Sequence, residues 1–341
     1  MNKQRISELF SDATINTQRL QELANLLAHL KKLNIEPLLV KGAGLIKTVY
    51  PHPALRVMGD IDLLVKPDDF TSARRLLISE NYQSVPDTPG HFFSAKGGSA
   101  SGGKNTSFTM HLDLHWDIWY LRKEEFDNLW KAGLSFQLNG VQAKTLAPEE
   151  HFIYIAVHSI LHHGILDAVR LQDLIMLINH STDFNWSLLV RKIRQYQLEI
   201  LLSIVLERLQ EIQSAKDGSA SGTGSPLDDC IRPEIVPDYV FTQLRQRSVR
   251  GLNRFWARLM KQVIRHPVIP NIGHILKINA ARGFRGKLHY FLSYLFPSEL
   301  FMKEKYPLTN RHPLLLYCYY FHRPIYLTSQ GIRLLSSELM K

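Results

Sequence analysis

The sequence predicts an α+β protein: a mixed β-sheet with helices, followed by an all-helical domain. Between residues 36 and 147, short apolar runs alternate with helical patterns; DIDLLV at 60–65, for example, precedes PDDFTSARRLLISEN. From residue 148, apolar positions recur only at helical spacing. We therefore expect an N-terminal helical segment at 1–35, an α+β domain at 36–147 and a basic helical domain at 148–341.

The individual elements follow from apolar spacing and from helix-start signals. Pro67 with two following acids, and Pro148 with two following acids, are typical of helix first turns. Strands are expected at 37–40, 60–65, 90–95 and 107–117. Helices are expected within 5–33, after 42, after 67, from 148, and at 168–180, 185–213, 237–247 and 252–265. Two segments, 94–103 and 214–224, share the pattern SAK-x-GSASG, which is typical of flexible linkers.

Composition excludes several classes of protein. The chain has 341 residues, of which 45% are hydrophobic and 21% charged, as in ordinary globular proteins. Its two cysteines, Cys230 and Cys318, cannot form a cysteine-based zinc framework, and they suggest a reducing compartment. No apolar run is long enough to span a bilayer, and the first 30 residues lack the apolar core of a signal peptide. We expect a cytoplasmic protein.

Positive charge is concentrated in the second half of the chain. The net charge is +10 overall, with −2 in residues 1–190 and +12 in residues 191–341. A basic half next to a neutral one favours attraction to a polyanion such as a nucleotide or nucleic acid. Aromatic residues interleave with arginines at 245–265 and 282–290, as in nucleic-acid-binding segments. A solvated basic face that only keeps the protein in solution is an equally good interpretation.

Two acidic residues on one strand face are the sharpest chemical feature. In GDIDLLV, Asp60 and Asp62 alternate with Ile61 and Leu63, so both carboxylates project on the same side. Neighbouring carboxylates repel each other unless a cation lies between them. Oxygen ligands fit Mg²⁺ or Mn²⁺. By itself, this pattern also occurs by chance on exposed strands.

The flanking segments strengthen the prediction. Lys41-Gly42-Ala43-Gly44 follows a strand and begins a helix, a turn whose backbone N–H groups can face a phosphate. Farther along, Asp113 and His115 alternate on the strand HLDLHWD. If that strand neighbours 60–65, Asp113 approaches the paired acids. Three carboxylates around metal ions can activate a hydroxyl and stabilise a leaving pyrophosphate.

These segments together resemble a known family. KGAGLIKTVYPHPALRVMGDIDLLVKPDD, the strand LDLHWDIW, and EEHFIYIAVHSILHHG with VRLQDLIMLI are similar to the uncharacterised nucleotidyltransferase family of the DNA polymerase β-like superfamily. The resemblance covers roughly residues 20–210. It implies a mixed sheet with helices and a helical domain that closes the cleft.

The resemblance also implies residue roles. Asp60 and Asp62 match the paired metal-binding acids, Asp113 matches the third acid, which acts as base or metal ligand, and Gly42 matches the turn near the triphosphate. The superfamily usually has serine after that glycine, where this chain has Ala43. Lys41 and the backbone of Ala43 and Gly44 would then hold the phosphates, or the chain is a pseudoenzyme.

Other polar residues carry alternative interpretations. Arg56 either contacts phosphate or forms an ion pair in its loop, and His115 either assists the chemistry or is structural. Arg170 either touches phosphate or, like His158, pairs with Asp173 between two helices. A second metal site of the His/Asp type, near His158 and His162 on one face of the helix at 148–163, is a weaker alternative, because the His-Asp dipeptide of phosphohydrolases is missing.

The sequence therefore predicts a Mg²⁺- or Mn²⁺-dependent nucleotidyltransferase. It would move a nucleoside monophosphate from an NTP to the hydroxyl of an acceptor, which could be a small molecule, a sugar, a peptide or an RNA end, and would release pyrophosphate. Two alternatives remain: a toxin-like transferase acting on tRNA or protein, and a non-catalytic nucleotide-binding module with the same fold.

Overall fold

The structure is a computed structural model that covers most of the chain. The described residues are 3–84, 92–97, 108–163, 166–181, 184–217, 236–245, 283–297 and 308–339, with residues 299, 302, 303 and 306. The expected helix at 252–265 lies outside them. The expected strand at 90–95, the helix at 237–247 and the two linker-like segments lie partly outside them.

A mixed β-sheet of seven strands forms the centre of the described chain. Its strands are β1 (Leu38–Val40), β2 (Ile61–Leu64), β3 (Gln83–Ser84), β4 (Phe92–Gly97), β5 (Phe108–His115), β6 (Leu134–Leu138) and β7 (Val141–Thr145). They lie in the order β3-β4-β5-β2-β1-β7-β6. The pairs β2–β5 and β1–β7 are parallel, and the other neighbouring pairs are antiparallel.

Helices cover both faces of this sheet. On one face lie α1 (Lys3–Lys32) and α3 (Pro67–Ser79), which pack on the side that carries Ile61 and Leu63. The other face, which carries Val40 and Leu64, packs against a helical layer. That layer contains α4 (Lys123–Ala132), α5 (Pro148–His163), α6 (Ala168–His180), α7 (Trp186–Gln195), α8 (Glu199–Asp217) and α9 (Asp238–Arg245).

The alternation of strand side chains produces these two cores. Neighbouring strand residues point to opposite faces, so Leu38 and Val40 join one core and Leu39 joins the other. The central strands β1 and β2 are buried along their length, as expected for strands with helices on both sides. The predicted α+β class, a mixed sheet followed by helices, is confirmed.

The structure differs from the sequence prediction in several places. The single helix expected at 185–213 is divided into α7 and α8, because Gln197 adopts a left-handed backbone conformation with φ of 60°. The prediction also missed α4 and the hairpin of β6 and β7. Asn139 and Gly140 connect these two strands, both with positive φ, as in the tight turns that favour Asn-Gly.

The last part of the chain is helical where it is described. It contains α10 (Gly283–Leu295), α11 (Leu308–Arg311) and α12 (Leu314–Leu339). Helices α10 and α12 contact each other: the Tyr320 hydroxyl donates to the carbonyl of Pro297 over 2.7 Å, and Arg323 Nε donates to Tyr294 O over 3.2 Å. None of the described helices combines the length and apolar character needed to cross a bilayer. The domain divisions at 35 and 147 and the cytoplasmic location stay predictions.

Candidate active site

The two central parallel strands bring a pair of carboxylates together. Strands β2 and β5 pair with Asp62 directly opposite Asp113. Side chains at paired positions of neighbouring strands point to the same face, which here is the face covered by the helical layer. Asp62 is 2% exposed and the Asp113 side chain 13% exposed. The sheet register therefore places two neighbouring carboxylates between the sheet and α5.

Two basic side chains lie against these carboxylates. Lys41 Nζ is 2.5 Å from Asp62 Oδ1. His115, two residues beyond Asp113 on the same face of β5, places Nε2 at 3.0 Å from Asp62 Oδ1 and 3.1 Å from Asp113 Oδ2. One imidazole thus bridges both acids. This bridge requires a proton on Nε2, since a carboxylate can only accept.

The ionisation of these groups is strongly coupled. Burial opposes a charge on His115, but hydrogen bonds to Asp113 and Asp62 raise its pKa to about 9. Burial likewise disfavours the charged form of Asp62, yet Lys41 and His115 hold the pKa of this carboxyl below its ordinary value. The cluster is therefore held as ion pairs at neutral pH.

Asp60 stands at the edge of this cluster. It comes just before β2, which begins at Ile61, and its side chain keeps contact with solvent. The surrounding protein withdraws its carboxyl partly from water, and this desolvation together with the charge of Asp62 raises the pKa of Asp60. The negative charge of Asp60 is therefore poorly compensated in this structure.

A metal ion has a suitable set of ligands here. One ligand atom each from Asp62, Asp113 and His115 lies within 4.8 Å of the others. The sequence-based set named Asp60 where this group has His115, and the assignment of Asp60 as a metal ligand stays a prediction. Carboxylate oxygens suit Mg²⁺ and Mn²⁺, and an imidazole nitrogen is better tolerated by Mn²⁺. The two carboxylates thus fit a divalent cation, and the His115 nitrogen could join them only after losing the proton that bridges the acids.

The predicted phosphate turn lies beside the acids at the end of β1. Lys41 has φ of 52°, a strained conformation for a residue with a side chain, and it begins the five-residue helix α2 (Lys41–Leu45). A side chain on Gly44 would lie 2.4 Å from Thr145 Oγ1 and 2.5 Å from the carbonyl of Leu39. Gly44 thus allows α2 to pack closely on the sheet.

Ala43 faces the apolar core rather than the acidic side chains. It is 1% exposed and packs with the core on the side of α1. A serine hydroxyl at this position would be placed among apolar neighbours, where it costs free energy unless it finds a hydrogen-bond partner. In this fold, the missing serine is therefore consistent with how the turn is packed.

Helix α5 places a row of ring side chains beside His115, which the sequence prediction did not identify. The Tyr154 ring stacks on His158, with ring centroids 5.9 Å apart, and His158 meets His115 edge-on at 6.3 Å. Burial, and after it the charges of Asp62 and Asp113, raise the pKa of Tyr154 well above its ordinary value.

His151 completes this side of α5. It is fully buried, and burial lowers its pKa to about 3, so the ring is neutral. Residues 151, 154 and 158 are spaced so that they lie on one helical face. This spacing was the signal in the sequence that could have identified these rings as a group.

Arg56 contacts an acid outside the cluster. Its Nε lies 2.7 Å from Asp173 Oδ1 and its terminal nitrogen 2.9 Å from Asp173 Oδ2, and the Tyr50 hydroxyl donates to the same carboxylate over 2.7 Å. Asp173 was expected to pair with His158 or Arg170. It instead connects the loop before β2 to α6. The predicted contact of Arg56 with phosphate stays a prediction.

The remaining predicted residues lie at separate places. Arg170 pairs with Asp167 at the start of α6, where the Arg170 amide also donates to Asp167 Oδ1 over 2.9 Å. Its phosphate contact stays a prediction. The side chains of His162 and His163 are outside the described residues, as are most of the basic residues of 245–265.

Comparisons with known proteins identify the family of the chain. A family profile described as uncharacterised nucleotidyltransferase matches residues 7–213, which include β1, β2, β5 and α5. No curated protein matches the chain. Among solved structures, the chain is similar to an antigenic nucleotidyltransferase-like protein from Paracoccidioides brasiliensis, with 18% identity, a TM-score of 0.37, and coverage of 47% of this chain and 75% of that one. The resemblance inferred from the sequence is confirmed: the chain belongs to the uncharacterised nucleotidyltransferase family.

Proposed function

We propose that the protein transfers a nucleoside monophosphate from an NTP to an acceptor hydroxyl and releases pyrophosphate. The observation that carries this proposal is the register of β2 and β5, which sets Asp62 against Asp113 beside His115. Membership of a nucleotidyltransferase family implies an NTP substrate. The pairing of acids across parallel strands supports a cation at that position.

The residues that would hold the cation are Asp62 and Asp113, with Asp60 at the edge of this pair. Their donor chemistry fits Mg²⁺ or Mn²⁺. When bound, such an ion neutralises charge on the phosphates and on the leaving pyrophosphate. Before it binds, Lys41 and His115 compensate the acids.

The chain's own groups then account for the transfer. The acceptor oxygen forms a bond to the α-phosphorus, and the bond from that phosphorus to the bridging oxygen breaks, so that pyrophosphate leaves with the electron pair. Asp113 accepts the hydroxyl proton. Lys41 and His115 place positive charge beside the position of the reacting phosphate.

The phosphate turn supports the other end of the nucleotide. In this proposal, the backbone of Gly42, Ala43 and Gly44 approaches the triphosphate next to the Lys41 ammonium. Arg56 and Arg170 belong to the proposed nucleotide site only if they exchange their partners Asp173 and Asp167 for phosphate. The turn at Lys41–Gly44 therefore supports the proposed nucleotide site better than Arg56 and Arg170 do.

A labelling experiment tests the activity. The purified protein is incubated with each α-labelled NTP, with Mg²⁺ or Mn²⁺, and with cell extract as a source of acceptor. We expect label on a metabolite, protein or RNA, and we expect Asp62→Asn to reduce its rate by at least about a hundredfold. Asp127→Asn, an exposed acid on α4, is the matched control and should keep the wild-type rate.

A binding experiment separates an enzyme from a nucleotide-binding module. Calorimetry should show that Mn²⁺ strengthens binding of an NTP to the wild type but not to Asp62→Asn. Nucleotide binding without any labelled product would favour the non-catalytic alternative. If Asp62→Asn bound Mn²⁺ and transferred label like the wild type, the proposed site would be wrong.

A further inference from the structure

An exposed apolar stripe runs along the first half of α12. Leu314, Tyr317, Phe321 and Ile325 are between 65% and 80% exposed. At 100° per residue these four positions fall within one narrow stripe of the helix, roughly 17 Å long. The side of α12 that contacts α10 carries Tyr320 and Arg323 instead. The stripe therefore faces away from the helix that α12 packs against.

Helix α10 exposes a second group of the same kind. Phe291 and Leu292 are more than 40% exposed, although α10 contacts α12 through Tyr294. More than half of the large apolar side chains that are exposed in the described residues lie between 288 and 326. Such a concentration is unusual on a protein surface and marks a site of association.

The charge around these helices indicates the kind of partner. Helices α10, α11 and α12 contain five Lys and Arg but only one acid, Glu338. A surface that combines exposed aliphatic and aromatic side chains with nearby positive charge is complementary to an anionic lipid bilayer, which offers phosphate at its surface and hydrocarbon beneath it.

Nucleic acid is a poorer complement to the stripe itself. The stripe begins and ends with aliphatic residues, Leu314 and Ile325, which cannot stack on bases as aromatic rings do. Burial of such side chains in hydrocarbon, in contrast, is favourable in proportion to their area. We propose that the apolar stripe of α12, with the exposed face of α10, docks the protein peripherally on an anionic membrane surface.

Vesicle sedimentation tests the proposal with the purified chain. We expect the protein to sediment with vesicles that contain about a third phosphatidylglycerol in phosphatidylcholine, and to bind pure phosphatidylcholine vesicles much more weakly. Higher salt should weaken binding because it screens the lipid charge. The double variant Phe321→Glu/Ile325→Glu should bind at least about tenfold more weakly. Ile78→Glu, at a 50% exposed position on α3, should bind like the wild type.

Further measurements check that the double variant is folded and test whether the stripe binds another partner instead. Circular dichroism should show the same melting temperature for the double variant and the wild type, and Leu314→Ser/Tyr317→Ser provides a milder second variant if it does not. Wild-type protein that fails to sediment with anionic vesicles would overturn the proposal. The proposal would also be overturned if the double variant bound vesicles like the wild type but lost another association. That association would be a dimer detected by light scattering or a complex with tRNA.

Discussion

Two buried polar clusters lie near each other in this protein, and they are built differently. The Arg56 cluster consists of Tyr50, Arg56 and Asp173: one acid, one base and one hydroxyl. The Asp62 cluster consists of Lys41, Asp60, Asp62, Asp113 and His115: three acids and two bases. The first is neutral, and its carboxylate receives three hydrogen bonds. In the second, three acids lie close enough to act on one another, since, after burial, the charges of Asp62 and Asp113 both raise the pKa of Asp60.

The difference supports a structural role for the Arg56 cluster and the proposed chemical role for the Asp62 cluster. In the Arg56 cluster the charges stabilise each other: although burial opposes the charge on Arg56, Asp173 raises its pKa. In the Asp62 cluster, desolvation and the charge of Asp62 raise the pKa of Asp60. A protein retains such crowded acids where they serve a function, because perturbed ionisation concentrates at functional sites.

Removing the acid of the Arg56 cluster should have the largest effect on stability. Asp173→Ala leaves the Arg56 guanidinium without its buried partner, and loss of one member of a buried pair costs about 3–5 kcal/mol. We expect a decrease of that size in the free energy of unfolding measured with urea.

The control for this variant keeps the cluster free of charge. Arg56→Met/Asp173→Leu removes both charges and should recover much of the loss. If Asp173→Ala unfolded like the wild type, the structural role of the Arg56 cluster would be refuted.

The second largest expected effect is the change in the free energy of unfolding with pH. The pKa of His115 rises from 6.5 to about 9 on folding, so its contribution is fully present below pH 6.5 and is lost as pH rises through 9. The contribution amounts to at most about 3 kcal/mol. The free-energy difference between the wild type and His115→Gln should therefore shrink across this range.

The measurement is urea unfolding of both proteins at several pH values, without added metal. A difference that grows with rising pH would show that His115 is not held as a cation by Asp62 and Asp113.

Substitution of Gly44 should have a somewhat smaller effect. An added Cβ would lie 2.5 Å from the carbonyl of Leu39, which cannot move without shifting β1. Overpacking of this kind typically costs about 1–3 kcal/mol, although alanine is otherwise the better helix former. Thermal unfolding of Gly44→Ala should show the loss. Gly59→Ala, where an added Cβ meets nothing within 4 Å, should unfold within about 0.5 kcal/mol of the wild type.

The smallest predicted effect has the opposite sign. Asp60→Asn removes a charge that its surroundings disfavour, so the variant should be slightly more stable than the wild type at pH 7, by less than about 1 kcal/mol because the group is partly exposed. Nucleotide transfer should decrease in the same variant. A loss of stability would indicate that Asp60 is held by a partner in the fold rather than by a cation.

Much of the fold near the site could be predicted because its signals are local. Strict alternation around Asp62 gives the strand and its two faces, and the Pro-acid starts of α3 and α5 were visible in the sequence. The Asn139-Gly140 turn gave an equally local signal for the β6–β7 hairpin, which the prediction did not use. The division of α7 from α8 at Gln197 had no comparable signal, since glutamine rarely adopts a left-handed conformation.

The sequence indicated two of the acids that meet in the candidate site, but not their contacts. The sequence showed that Asp62 and Asp113 lie on strand faces. It did not show that His115 bridges them or that Asp173 binds Arg56, because these contacts join residues far apart in the chain.

The sequence by itself determined the family, the strand that carries the paired acids and the turn that follows β1, since each depends on neighbouring residues. Only the tertiary structure decided which acids meet, because strand order and register place β5 rather than β4 beside β2. A shift of that register by one residue would turn Asp113 to the opposite face of the sheet. The chemistry of the site therefore depends on how the strands are assembled as much as on which residues they contain.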